Sequence, residues 1–350
     1  MRIVSLLLIL ALATGCTKST GSLQSHPLVA SDIAIAPGLW SGLAWSGHFG
    51  LVVASDGRAP GNGPIVSRPT LVSIDPQLGT AQAIDLPDSD CGALRSLRLA
   101  ALPRGEVGLA DICLNDSRVD QRYETTFLVL EPDGGVRSLG TLIGDLAPVT
   151  FAWNQALTSV VYEVDGSLCA TLYTYTAEAG SRPLGVTAEV DGELVELGED
   201  LGSNADGCTR TGRAARPAYA PDGQRLALLA SPAGGRTGQD RIDLPWGLVV
   251  LSPDGVATTI LEGLRDPLGV AWISEGDLLV TATLNGQRGV WRVPVGGGDP
   301  VLVASEAVGA LAVAPDGRAF AGFPECAPPD CTALETSRVL IFQLVPTQGE

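Results

Sequence analysis

Short apolar stretches recur along the chain, each bounded by glycine, proline and small polar residues. The most regular are FGLVVAS (49–55), EVGLADI (106–112), TSVVYEV (158–164), QRLALLA (224–230), DLLVTAT (277–283) and RAFAGFP (318–324). Apolar residues that recur every second position over so few residues predict half-buried β-strands. Each stretch is preceded by a turn-like segment and, before that, by an alanine pair or an alanine with an aromatic neighbour. They are Ala44-Trp45, Ala100-Ala101, Ala152-Trp153, Ala218-Tyr219 and Ala271-Trp272, with Ala312-Val313 in the same place in the last copy.

The six alanines are separated by 56, 52, 66, 53 and 41 residues. Repeats of about 40 to 50 residues with several strands each are the mark of a propeller. The shortest interval still holds four strand candidates, GVAWI, LLVTATL, GVWRVPV and PVLVAS. The last copy has three, ending at SRVLIFQLV, and the stretch LVASDIAIAP near the other end supplies a fourth. The expected fold is therefore all-β, a six-bladed β-propeller closed by pairing of the N- and C-terminal strands.

Two copies carry nearly the same turn, AYAPDGQRLAL (218–228) and AVAPDGRAFAG (312–322). Proline presets φ for a tight turn, aspartate bonds to nearby backbone amides, and glycine takes the left-handed conformation that closes it. Alanine suits a crowded inner strand, and the Trp or Tyr after it is expected to pack between blades. These residues resemble the TolB-type β-propeller repeat, related to the WD-repeat propellers. The resemblance runs over roughly residues 28 to 345, is carried chiefly by these two copies, and implies a fold rather than a role.

The chain opens MRIVSLLLILALATGC, one basic residue and an apolar run ending in small residues, as an export signal does. Ala13-Thr14-Gly15-Cys16 resembles a bacterial lipobox, so residues 1–15 are expected to be a signal peptide and Cys16 the lipidation site. Residues 16–27 then form a polar tether, 28–345 the propeller and 346–350 a short tail. Six other cysteines remain, and in an exported chain they point to disulfides. Sequence neighbours give the simplest set: Cys91 with Cys113, Cys169 with Cys208, and Cys326 with Cys331. The formal charge of −17 excludes a body that tracks nucleic acid or anionic lipid.

In a four-stranded blade, the first-to-second and third-to-fourth turns share one face, and here they are short. The long segments SDGRAPGNGPIVSRP, LNDSRVDQRYE, SPAGGRTGQDRIDLPW and PECAPPDCTALETS fall between second and third strands, on the opposite face. Loops on a rigid scaffold carry binding residues. The candidates are those just before each inner strand: Asp90, Arg95, Asp145, Arg216, Arg265, Asp266 and Glu306. Carboxylates and guanidiniums around a funnel orient a polar ligand or the charged groups of a protein.

No catalytic or metal motif is complete. The run GSNADG (202–207) has two residues at EF-hand spacing but lacks the first aspartate, and Arg213 stands where the closing glutamate belongs. No G-x-S-x-G occurs, and His26 and His48 have no readable partner. The expected function is that of a non-catalytic envelope lipoprotein, a binding or scaffold module for an envelope protein or polar ligand, with no cofactor. The alternative is a propeller enzyme of lactonase, lyase or cyclotransferase type with a funnel active site. The expected location is the outer membrane, facing the periplasm, with the tether entering from the short-turn face and the long loops pointing away from the lipid.

Overall fold

The computed structural model describes residues 31–55, 69–86, 91, 95–102, 105–117, 120–145, 147–166, 169–197, 213–232, 245–324 and 335–344. The expected signal peptide, Cys16, the tether, GSNADG, Asp90, Cys208, Cys326, Cys331 and the C-terminal tail lie outside these residues. Among the described residues every regular element is a strand. In chain order they are β1 (Ser31–Ser46), β2 (Gly50–Ser55), β3 (Thr70–Ile74), β4 (Ala81–Ile84), β5 (Arg95–Ala101), β6 (Val107–Ser117), β7 (Asp120–Leu130) and β8 (Val136–Gly144). There follow β9 (Pro148–Trp153), β10 (Ser159–Gly166), β11 (Cys169–Thr176), β12 (Gly180–Pro183), β13 (Val186–Val190), β14 (Glu193–Leu197), β15 (Arg213–Tyr219) and β16 (Leu226–Ser231). The last are β17 (Trp246–Leu251), β18 (Ala257–Ser274), β19 (Asp277–Leu284), β20 (Gln287–Pro294), β21 (Val301–Ala304), β22 (Ala312–Val313), β23 (Ala319–Gly322) and β24 (Glu335–Gln343).

Pairing is antiparallel throughout. Strands β5 to β8 and β9 to β12 form two four-stranded sheets in sequence order, and two seven-stranded sheets run β22-β23-β24-β1-β2-β3-β4 and β15 through β21. Each seven-stranded sheet passes through one long strand. β18 pairs with β17 over its first half and with β19 from Arg265 onward. β1 pairs with β24 from Ser31 to Leu39, then with β2 from Trp40 to Ser46. The first described strand thus lies beside the last, in the register Ser31↔Ile341 to Leu39↔Glu335. All six aligned alanines fall on the strands that open each run, β1, β5, β9, β15, β18 and β22, and these strands contact one another in succession. The architecture is a β-propeller.

Two segments depart from the expected pattern. LNDSRVDQRYE is not a long loop: β6 and β7 stay paired from Val107↔Leu130 to Ser117↔Asp120, a projecting hairpin. The 66-residue interval contains an additional hairpin, β13–β14, unmarked by any turn signature in the repeat. Its Ala188, Val190 and Val195 are buried against Leu228, Ala230 and Val249, so it extends the core between neighbouring sheets.

Where an aromatic residue follows a motif alanine, it packs backward, onto the preceding repeat. Trp45 joins a core with Ala314, Ala321 and Phe323, Trp153 lies over Gly108, and Trp272 meets Ala220 and Ala227. The Trp272 indole N–H donates to the Ala218 carbonyl at 2.9 Å. These rings pack against the preceding repeat, as expected, and Trp45, Trp153 and Trp272 also line the axial cavity.

The Cys91–Cys113 disulfide forms as expected, across 22 residues of sequence. It ties the approach to β5 onto β6. By loop-closure entropy a bridge of that span contributes about 3 kcal/mol. Replacing both cysteines with serine is expected to lower the unfolding free energy by about that amount, measurable by urea denaturation with and without reductant.

Candidate functional site

The opening strands surround an axial cavity of about 480 Å³. It runs from Ser41, Arg98, Thr150 and Arg216, where the strands begin, to Leu102, Pro221 and Pro315, where they turn back. Strand alternation places the polar end on the face to which the long connections belong. Most of the wall is apolar, because the inner strands are spelled in Ala, Gly, Leu and Val so that their backbones can crowd the axis. Among the described residues, those lining the cavity include no Asp, Glu, His or Cys.

Arg216 has an unusual backbone. Its φ is +56°, in the left-handed region, and β15 is irregular between Ala215 and Ala218. A bulge of this kind re-aims a side chain, and Pro217 within it has no N–H to leave unpaired. The conformation is held from behind by Glu163, which is 4% exposed. Glu163 Oε2 accepts the Arg216 backbone N–H at 2.9 Å and the Thr150 hydroxyl at 2.7 Å. Replacing Glu163 with Leu leaves both donors unmatched, and each buried orphan costs about 1–3 kcal/mol. The expected loss is roughly 2–6 kcal/mol, read as a lowered denaturation midpoint with an unchanged m-value.

Arg98 stands on β5, its Nη1 donating to Ser96 Oγ at 2.7 Å and the Leu97 carbonyl at 2.8 Å. Tyr219 also lines the cavity, and burial pushes its phenol above the ordinary range, so the ring remains a neutral donor.

Of the residues singled out from sequence, Arg216 lines the cavity. Arg95 makes a two-pronged ion pair with Asp111, at 2.8 Å from Nε and 2.7 Å from Nη2, with both side chains about nine-tenths buried. It holds β5 to β6. Asp145, Arg265, Asp266 and Glu306 are exposed and lie outside the lining. The Asp266 carbonyl accepts a bond from Arg288 Nη1 at 2.5 Å, and its φ of +46° marks a second irregularity before a proline. His48 is exposed in the turn after β1, its amide bonded to Ser46 Oγ. Sequence reasoning passed over Arg98, Thr150 and Glu163. The available signal was a cation and a hydroxyl two residues before motif alanines, where the other copies place glycine, alanine or Arg216.

No family model matches the chain, and no curated protein matches its sequence. Solved structures do. An α-L-arabinanase from Penicillium chrysogenum, solved with arabinobiose, aligns at 11% identity over 89% of this chain and 98% of its own, with a TM-score of 0.52. A luciferin-regenerating enzyme aligns at 12% identity over 90% of this chain and 96% of its own, with a TM-score of 0.48. At such identity the first likeness shows a shared fold and no more. The second falls too low to carry an argument.

Proposed function

We propose that this protein is a non-catalytic binding module of the bacterial envelope, a six-bladed propeller of TolB-like repeat tethered by a lipid on Cys16. Six blades follow if β1 and β18 are each counted in two neighbours, which turns the two seven-stranded sheets into four blades beside the two four-stranded ones. Pairing of β1 with β24 then makes the last blade from both ends of the chain. The observation that carries the binding role is the axial cavity, whose lining includes Ser41, Arg98, Thr150 and Arg216 toward one end. Groups of that kind hold and orient a ligand.

Two measurements test the reading. Wild-type protein is expected to incorporate a labelled fatty acid in bacteria and Cys16→Ser to incorporate none; an unlabelled wild type would remove the anchor. For binding, a pull-down from crosslinked envelopes is expected to enrich the same partner or ligand with wild type and to lose it with an Arg98→Gln, Arg216→Gln double variant. Turnover of lactones or glycosides that chelation abolishes would replace the module with an enzyme.

A further inference from the structure

Two residues before the six aligned alanines stand Gly42, Arg98, Thr150, Arg216, Gly269 and Ala310, and all six line the axial cavity. Their distribution is one-sided. Arg98, Thr150 and Arg216 come from β5, β9 and β15, three opening strands in succession. Gly42, Gly269 and Ala310 belong to the other half, where Leu268 and Leu311 add apolar surface. A polar arc therefore faces an apolar one across the same mouth.

The polar arc carries two arginines. Its carboxylate, Glu163, is behind the wall and spends Oε2 on a backbone amide and a hydroxyl. That arrangement fixes where Arg216 emerges from its strand. A non-glycine residue in the left-handed region persists only where its surroundings over-determine it, and such residues cluster at functional sites. Here a buried acid, itself bonded by a threonine, accepts the Arg216 amide, and a proline follows the arginine. The chain as a whole, with a formal charge of −17, repels anions.

Resting on the reading of the cavity as a binding site, we propose that its ligand is a small amphiphile with an oxyanion head, carboxylate or phosphate. Arg216 donates to the head, Arg98 adds its charge, and the apolar body lies along the Gly42, Gly269 and Ala310 side. The guanidinium fork matches either oxyanion. The cavity volume of about 480 Å³ is that of a small-molecule pocket.

Calorimetric titration of the full chain carrying Cys16→Ser, with four probes of equal tail length, tests the ligand class. Decanoate and decyl phosphate are expected to bind one per chain at least tenfold more tightly than decanol or decyltrimethylammonium, and to weaken as salt is raised. Arg216→Gln is expected to reduce anion affinity at least tenfold and Arg98→Gln to reduce it less, with decanol unchanged in both. Thermal midpoints of the variants show that they are folded, and the wild-type ranking needs no variant. Equal affinity for decanol and decanoate, anion binding untouched by either substitution, or no binding by any probe would each overturn the proposal while leaving the envelope pull-down as a separate result. Sedimentation with phosphatidylglycerol vesicles that Arg216→Gln abolishes would also overturn it, by assigning the head to a membrane surface.

Discussion

A chain lacking residues 335–350 is expected to lose cooperative folding altogether. The deletion removes β24, which pairs with β23 on one side and β1 on the other. It also removes Val339, Ile341 and Phe342, all 5% exposed or less, from two separate cores. Phe342 stacks on Phe320 with ring centroids 4.7 Å apart. Three such side chains contribute roughly 1.5–3 kcal/mol each by burial alone. Two unpaired strand edges add to the loss. The sum reaches the whole stability of an ordinary domain, about 5–15 kcal/mol. Near-ultraviolet circular dichroism and urea unfolding check this, with Phe342→Ala as a graded companion expected to cost about 3–5 kcal/mol. If the truncated chain still unfolds in one sharp transition, the terminal pairing does not hold the structure together.

Gly223→Ala is expected to cost roughly 2–5 kcal/mol, and Gly255→Ala only about 1–2. Both glycines close a Pro-Asp-Gly turn at positive φ, +65° and +84°. A methyl group on either meets the left-handed penalty of about 1–2 kcal/mol. At Gly255 nothing else lies within 4 Å. At Gly223 the added carbon would stand 2.1 Å from Gln155 Cβ and 2.5 Å from its backbone nitrogen, so the neighbouring turn must move. Overpacking of that kind adds about 1–3 kcal/mol. Gly317 repeats the situation, 2.6 Å from the Ile273 carbonyl oxygen. Equilibrium unfolding of the two variants side by side decides the matter, and equal losses would mean that the turn's own conformation is all that the glycine serves.

That comparison also shows how far the sequence could be read. PDG announces a turn because its physics is local to four residues. Whether the turn abuts another depends on which strands it joins, which the tripeptide does not record. The motif alanines and the terminal strand pairing were legible for the same reason: small residues and alternation mark inner and closing strands directly. The extra hairpin β13–β14 was not, since Val186–Val190 and Glu193–Leu197 alternate no differently from any other strand pair. At the cavity, Arg95 and Arg216 look alike as arginines near the start of an inner strand. Asp111, across the sheet from one, and Glu163, beneath the other, separate a structural ion pair from a cavity wall. Both partners lie on second strands, which proximity in sequence does not single out.

The inner turns are bonded to one another from sheet to sheet. Gly47 donates its amide to the Gly105 carbonyl at 3.1 Å, Gln155 to the Gly223 carbonyl at 3.3 Å, and Arg225 Nη2 to the Glu275 carbonyl at 2.8 Å. Asp222 steadies the last of these. Partial burial opposes its ionisation, yet the Gln224 and Arg225 amides, the Arg225 guanidinium and a side-chain bond with Glu275 together hold its carboxyl below the usual carboxylate range. Widening the cavity at that end means breaking several such bonds at once. The inner turns at that end are therefore braced against one another, and a change in its width is coupled from one repeat to the next.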